Sequence, residues 1–215
     1  PMRETLTEIL DKRVASGALK ADPQQREVAA LLEPLRVWLE TQADRRPKLL
    51  KGLLGKAPIP PKGVYLWGGV GRGKSMLMDL FFETAEVPRK QRLHFHAFMQ
   101  QAHRRIHGWK QVHGDSADPI PPLADSIAAD AALLCFDEFQ VHDIADAMIL
   151  GRLFEALFAR GTVIVATSNT APDDLFKGQP GRDAFLPFIA LINRPVEVWP
   201  LVAMRDYRRE RIRSL

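Results

Sequence analysis

The chain has 215 residues, 46% apolar and 26% charged, a composition that suits one well-buried globular domain and excludes a chain unable to fold in water. Its formal net charge is only +4, and +3 of that lies from Arg205 onward, where five arginines face Asp206 and Glu210, so overall basicity is weak support for a nucleic-acid partner. The lone Cys135 excludes an internal disulfide, and with no signal-like start and no apolar run of about 18 residues the chain is expected to be cytoplasmic.

Residues 4 to 40 carry Leu6, Ile9 and Leu10, then Val28, Leu31, Leu32, Leu35 and Leu39, at three- and four-residue spacing. Ser16-Gly17 and Asp22-Pro23 interrupt that period and predict two helices, with Asp22 as N-cap and Pro23 in the first helical position of the second. From Gln42 to Lys62 the prolines and lysines follow no period, which predicts a linker or surface excursion. From Gly63 short apolar runs alternate with helical patterns. Residues 64–67, 92–95, 133–136, 162–166 and 196–199 are the predicted strands, and the alternation implies a parallel sheet with helices on both faces, a three-layer α/β fold. The expected divisions are 1–61 (helical segment and linker), 62–204 (α/β core) and 205–215 (the start of a C-terminal region).

Gly68-Gly69-Val70-Gly71-Arg72-Gly73-Lys74-Ser75 satisfies the pattern GxxxxGK[ST] between a predicted strand and a predicted helix. Glycines let consecutive N–H groups, through Met76 in the helix, turn toward an anion, and the helix adds its positive dipole end. Lys74 is then placed for the β and γ phosphates of ATP and the Ser75 hydroxyl for Mg²⁺. A second element decides what happens to the triphosphate. The apolar run Leu133 to Phe136 ends in Asp137 and Glu138 at the C-terminal edge of the sheet, where parallel sheets bind ligands. Asp137 is expected in the Mg²⁺ shell, and Glu138 is expected to take a proton from a water in line with the γ phosphate, which makes hydrolysis the expected reaction.

Lys74 and Asp137 lie 63 residues apart, room for the loop helix, a further strand near Leu93 and at least one more helix. An extra strand in that interval, with a glutamate after the aspartate, marks the branch of P-loop ATPases that includes the AAA+ proteins. Asn169, after the next strand, occupies the place of a residue that orients the attacking water; the competing reading is a plain Asn turn before Pro172.

The stretches GVYLWGGVGRGKSMLMDLFF, RLHFHAFMQQAH, LCFDEFQVHDIADAMILGRLFEALF, ATSNTAPDDLF and RDAFLPFIALI, with a late DYR, resemble the ZapE-like cell-division ATPases and their mitochondrial relatives, an AAA+ branch. The resemblance spans nearly the whole chain. It implies Mg²⁺-dependent ATP hydrolysis, ring-like or transient oligomers, and action on the tubulin-like division protein FtsZ at the septum. Ser75 stands where that family usually has Thr, which preserves the hydroxyl. The family pattern continues past DYR into a helical lid, and this chain is expected to lack it.

Arg182, after Asn169 and ahead of an apolar helix, matches an arginine that in similar AAA+ proteins reaches the γ phosphate of a neighbouring subunit. Arg152, on the helix predicted over 143–160, is a weaker candidate for that role. Each also reads as an ordinary salt-bridged arginine. His94 and His96 alternate along a predicted strand while His103 and His107 share a helix face; without a nearby Cys or acidic ligand, packing is a better reading than zinc. Gln25 is a candidate for adenine recognition beside its plainer reading as a first-turn residue. The alternatives kept open are a helicase-loader-like ATPase acting on single-stranded nucleic acid and a nucleotide-gated binding module with little turnover.

Overall fold

The computed structural model describes residues 3–42, 61–69, 73–192 and 201–204. The predicted N-terminal pair is present as α1 (Leu6–Ala15) and α2 (Pro23–Gln42). Thr5 opens α1 through a reciprocal box: its hydroxyl accepts from the Glu8 N–H at 3.1 Å, and the Glu8 carboxylate accepts from the Thr5 N–H at 3.3 Å. Gly17, at φ +81°, turns the chain out of α1 where a β-carbon would be strained. The Asp22 carboxylate accepts from the Gln24 N–H at 2.9 Å, so the cap sits where the residues predict it. The two helices are stitched together by polar contacts as well as leucines. Buried Arg36 donates to Glu33 at 2.8 Å and to the Glu4 carbonyl at 2.6 Å, while the other Glu33 oxygen accepts from the Leu6 N–H at 2.9 Å.

The remaining described strands and α-helices are β1 (Gly63–Gly68), α3 (Gly73–Thr84), β2 (Lys90–His94), α4 (Phe95–His113), α5 (Ile120–Asp130), β3 (Leu133–Asp137), α6 (Ile144–Ala159), β4 (Val163–Ser168), α7 (Leu186–Ile192) and β5 (Leu201–Met204), with two short 3-10 turns, Pro172–Asp174 and Arg182–Phe185, between β4 and α7. The strands form one parallel sheet in the order β2-β3-β4-β1-β5. Period-two alternation sends Val64, Leu66, Leu133, Cys135, Val163 and Val165 to one face, where α1, α2 and α3 cover them. Tyr65, Leu134, Phe136, Ile164 and Ala166 go to the other, under α4, α5, α6 and α7. Burial on both sides explains why these strands read as unbroken apolar runs.

Two details depart from the sequence reading. β2 passes into α4 without a loop, so Phe95 and His96 are helical and only His94 of the histidine pair lies on the strand. The fifth described strand is Leu201–Met204, whereas the stretch expected to form it, 196–199, lies outside the described residues, as does the arginine-rich segment 205–215. No helix among the described residues is long and apolar enough to cross a membrane.

Candidate active site

In space β4 lies between β1 and β3, so three predicted features meet along the C-terminal edge of the sheet: the glycine loop after β1, the acidic pair ending β3, and Asn169 after β4. Val70, Gly71 and Arg72 lie outside the described residues. The flanks of the loop are tightly fixed. A β-carbon on Gly68 would stand 2.1 Å from the Met204 carbonyl oxygen, so β1 and β5 can approach as they do only with glycine there. A β-carbon on Gly73 would stand 3.0 Å from the Gln25 side-chain nitrogen, which sets Gln25 against the start of α3. Gln24 ties α2 to the same edge by donating to the Ala203 carbonyl at 2.7 Å.

Lys74 is 6% exposed, and its ammonium donates to the Gly69 carbonyl at 2.7 Å and the Gly68 carbonyl at 3.3 Å. A buried ammonium held at the mouth of a glycine loop is a charge that a phosphate can take up with little rearrangement. Ser75 is exposed in the first turn of α3, and Met76 packs its side chain into the layer beneath, leaving its backbone N–H as its contribution to the loop. A buried cation, an exposed hydroxyl and a strand-end carboxylate fit a metal-bound triphosphate.

Asp137, part-buried, is gripped side-on by Arg92 of β2: Nε donates to Oδ2 at 2.7 Å and Nη2 to Oδ1 at 2.9 Å. The remaining Arg92 nitrogen, Nη1, donates to Asp79 on α3. The Asp137 hydrogen bonds push the Arg92 guanidinium further up from an already high pKa, so it stays charged. Glu138 is one of two non-glycine described residues at positive φ, +54°. Buried Phe139 fixes the turn from below, its ring tilted against that of Phe95 with centroids 4.2 Å apart, and its N–H donates to the Thr167 carbonyl at 2.7 Å. The Glu138 carboxylate is thereby turned out to solvent, 2.9 Å from His94 Nε2.

Asn169 is exposed between two anchored neighbours. Ser168 Oγ donates to the Phe139 carbonyl at 2.7 Å and accepts from the Thr170 N–H at 3.1 Å, and the Tyr65 hydroxyl donates to the Thr170 carbonyl at 2.7 Å. Burial pushes the Tyr65 hydroxyl pKa up, so it remains a donor.

Arg182 is placed differently. It lies in a short 3-10 turn at 182–185, half-buried, with Nη2 donating to the Asp173 carbonyl at 2.7 Å. Arg152 is ion-paired with Asp118. His103 meets Asp146 at 2.6 Å and His107 meets Gln111 at 3.0 Å, and no cluster of three metal-ligating side chains occurs among the described residues. Sequence reasoning missed Arg92, Asp79, Tyr65 and Thr167, and found no role for His94. One signal was available: Arg92 and His94 stand two apart on a strand that pairs with the acidic one, with His94 in register with Asp137.

A sequence model described as AFG1-like ATPase matches residues 4–214. The cell division protein ZapE of Escherichia coli is 40% identical over 208 residues, covering 92% of this chain and 54% of that protein. Lactation elevated protein 1 homolog B of Danio rerio is 49% identical over 158 residues, 70% of this chain and 31% of that protein. An uncharacterized protein of Schizosaccharomyces pombe is 40% identical over 234 residues, 95% of this chain and 52% of that protein; the chain thus spans about half the length of such relatives or less. Among solved structures, DnaI superposes with a TM-score of 0.54 at 13% identity over 87% of this chain and 88% of that one. AMPPCP-bound DnaA from Aquifex aeolicus does so at 0.52 and 14%, over 87% and 49%. These likenesses support the P-loop fold, and the family match is far more specific: the chain belongs to the AFG1-like ATPase family.

Proposed function

We propose that residues 62–204 form the core of an ATP hydrolase that couples nucleotide turnover to remodelling of a protein partner, with α1 and α2 of the segment 1–61 packed on one face of the sheet. The observation that carries this reading is the convergence of buried Lys74, the Asp137-Glu138 pair and Asn169 on one edge of a parallel sheet, within a chain of this family. Lys74 and the loop amides bind the β and γ phosphates. Ser75 and Asp137 hold Mg²⁺, which when bound draws charge from the phosphate oxygens. Glu138, exposed and turned outward, takes the proton of the attacking water, and Asn169 orients that water. Gln25 of α2, whose side chain lies against the start of α3, reads the adenine. Arg182 acts across a subunit boundary, and to do so it releases the Asp173 carbonyl.

Similarity to ZapE, a cell division protein, supports a division-related partner. The partner proposed is FtsZ, with an oligomer assembled with ATP and a cytoplasmic site of action at the septum, as the family resemblance implies. The test combines variants and partners. Glu138→Gln is expected to retain ATP binding and lose hydrolysis, and Lys74→Ala to lose both; hydrolysis at the parent rate by Glu138→Gln removes the base assignment. ATPase rate is then measured with FtsZ polymers and with single-stranded DNA. Stimulation by the polymers supports the reading, and stimulation by the DNA alone overturns it in favour of a nucleic-acid-handling ATPase.

A further inference from the structure

Arg92 makes three contacts that no proposed role explains. Its Nε–Nη2 edge spans both oxygens of Asp137, and Nη1 reaches Asp79. The three residues belong to three elements, β2, β3 and α3, and Asp79 lies one turn after Ser75, on the same face of the helix. A side-on guanidinium uses one acceptor site on each carboxylate oxygen and sets a full positive charge against it. A divalent cation drawing on Asp137 therefore meets a cation already seated there, and the two repel at the few-ångström separation one carboxylate imposes. Asp79 offers Arg92 a second carboxylate within reach of the same guanidinium. It is half exposed, so its free oxygen is accessible to a shifted fork.

We propose that Arg92 and Asp79 are positioning residues for the divalent cation: Arg92 competes with the cation for Asp137, and Asp79 is the acceptor onto which Arg92 moves when the cation binds. The proposal rests on the reading that Asp137 holds Mg²⁺. It makes two substitutions in one ion-pair network act in opposite directions. Without Arg92 the cation has no competitor. Without the Asp79 charge Arg92 has nowhere to move and holds Asp137 more tightly. A network that merely fastened three elements together would make both substitutions act alike.

The experiment measures the affinity of a fluorescent non-hydrolysable ATP analogue with Mg²⁺ and with EDTA, and takes the ratio as the contribution of the metal. Comparing ratios removes any general effect of charge on nucleotide binding. Arg92→Gln is expected to raise the ratio roughly tenfold, the size of one charge-assisted hydrogen bond, and Asp79→Asn to lower it severalfold. Arg92→Lys keeps the charge without the fork, should fall between wild type and Arg92→Gln, and serves if the glutamine variant does not fold. Asp137→Asn is the control. If it leaves the ratio unchanged, the assignment of the cation to Asp137 fails. If it collapses the ratio while the Arg92 and Asp79 variants move it in the same direction, or not at all, the handover is overturned and the cation assignment stands.

Discussion

Glu138 joins a proposed chemical role to a backbone conformation that side chains with a β-carbon avoid, and the two can be separated by substitution. At φ +54° the residue sits in the left-handed region, which costs an L residue about 1–2 kcal/mol. Glycine escapes that cost but loses about 0.4–1 kcal/mol through its freer unfolded chain. Glu138→Gly should therefore be more stable than Glu138→Ala by on the order of 0.5–1 kcal/mol. Alanine is the correct reference because both variants lose the carboxylate and its contact with His94. That contact is largely exposed and adds little in any case. For a chain of this length, about 2–4 °C of Tm accompanies each kcal/mol, so thermal denaturation of the pair at one pH resolves the difference. Both variants should hydrolyse no ATP, and both should still bind it. Equal melting temperatures would mean that Glu138 is not held at positive φ in solution, and the argument that Phe139 and Thr167 force the carboxylate outward would fall with it.

Three further outcomes follow from the same geometry. Gly68→Ala places a β-carbon 2.1 Å from the Met204 carbonyl oxygen, so β5 must move; a loss of roughly 2 kcal/mol in urea unfolding is expected, with weakened nucleotide binding because the loop begins at that residue. Tyr65→Phe removes the donor to the Thr170 carbonyl, which should cost about 1 kcal/mol and lower kcat severalfold with little change in nucleotide affinity, since it loosens the turn carrying Asn169. Burial pushes the Cys135 thiol well above its ordinary value of about 8.5. The unfolded chain then loses that proton first, so this contribution to stability is complete below about pH 8.5 and declines above it, by up to about 1.4 kcal/mol per pH unit. Cys135→Ala should flatten the decline in unfolding free energy between about pH 9 and 10, where Tyr65 still adds little.

How much of this was legible in the sequence divides along a physical line. Local signals carried far. Asp22-Pro23 and Gly17 mark helix ends because a cap, a fixed φ and a positive φ are properties of one or two residues. The inner strands announced themselves because burial on both faces leaves few polar positions, as in Leu133 to Phe136, whereas the edge strand β2 carries Lys90, Gln91, Arg92 and His94. The glycine loop and the acid pair were readable for the same reason, since each is a contiguous string. What stayed hidden depends on register. Arg92 meets Asp137 across 45 residues only because β2 and β3 pair parallel with His94 opposite Asp137. Shifting that pairing by one residue would send Arg92 to the other face of the sheet.

The histidines show the same division. His94 and His96 look alike in sequence, an alternating pair that invites a strand and, with two more histidines nearby, a metal. Phe95 decides between them. It is 1% exposed and packs against Phe136 and Phe139, so the chain turns helical at the residue that buries it. His94 is left as the last strand residue, beside Glu138, and His96 is carried onto an exposed turn of α4. The apolar residue between the two histidines thus separates their fates. Aromatic packing beneath the sheet edge turns Glu138 outward and also brings β2 to an end beside it, so the position of the proposed base depends on a cluster of phenylalanines that takes no part in the chemistry.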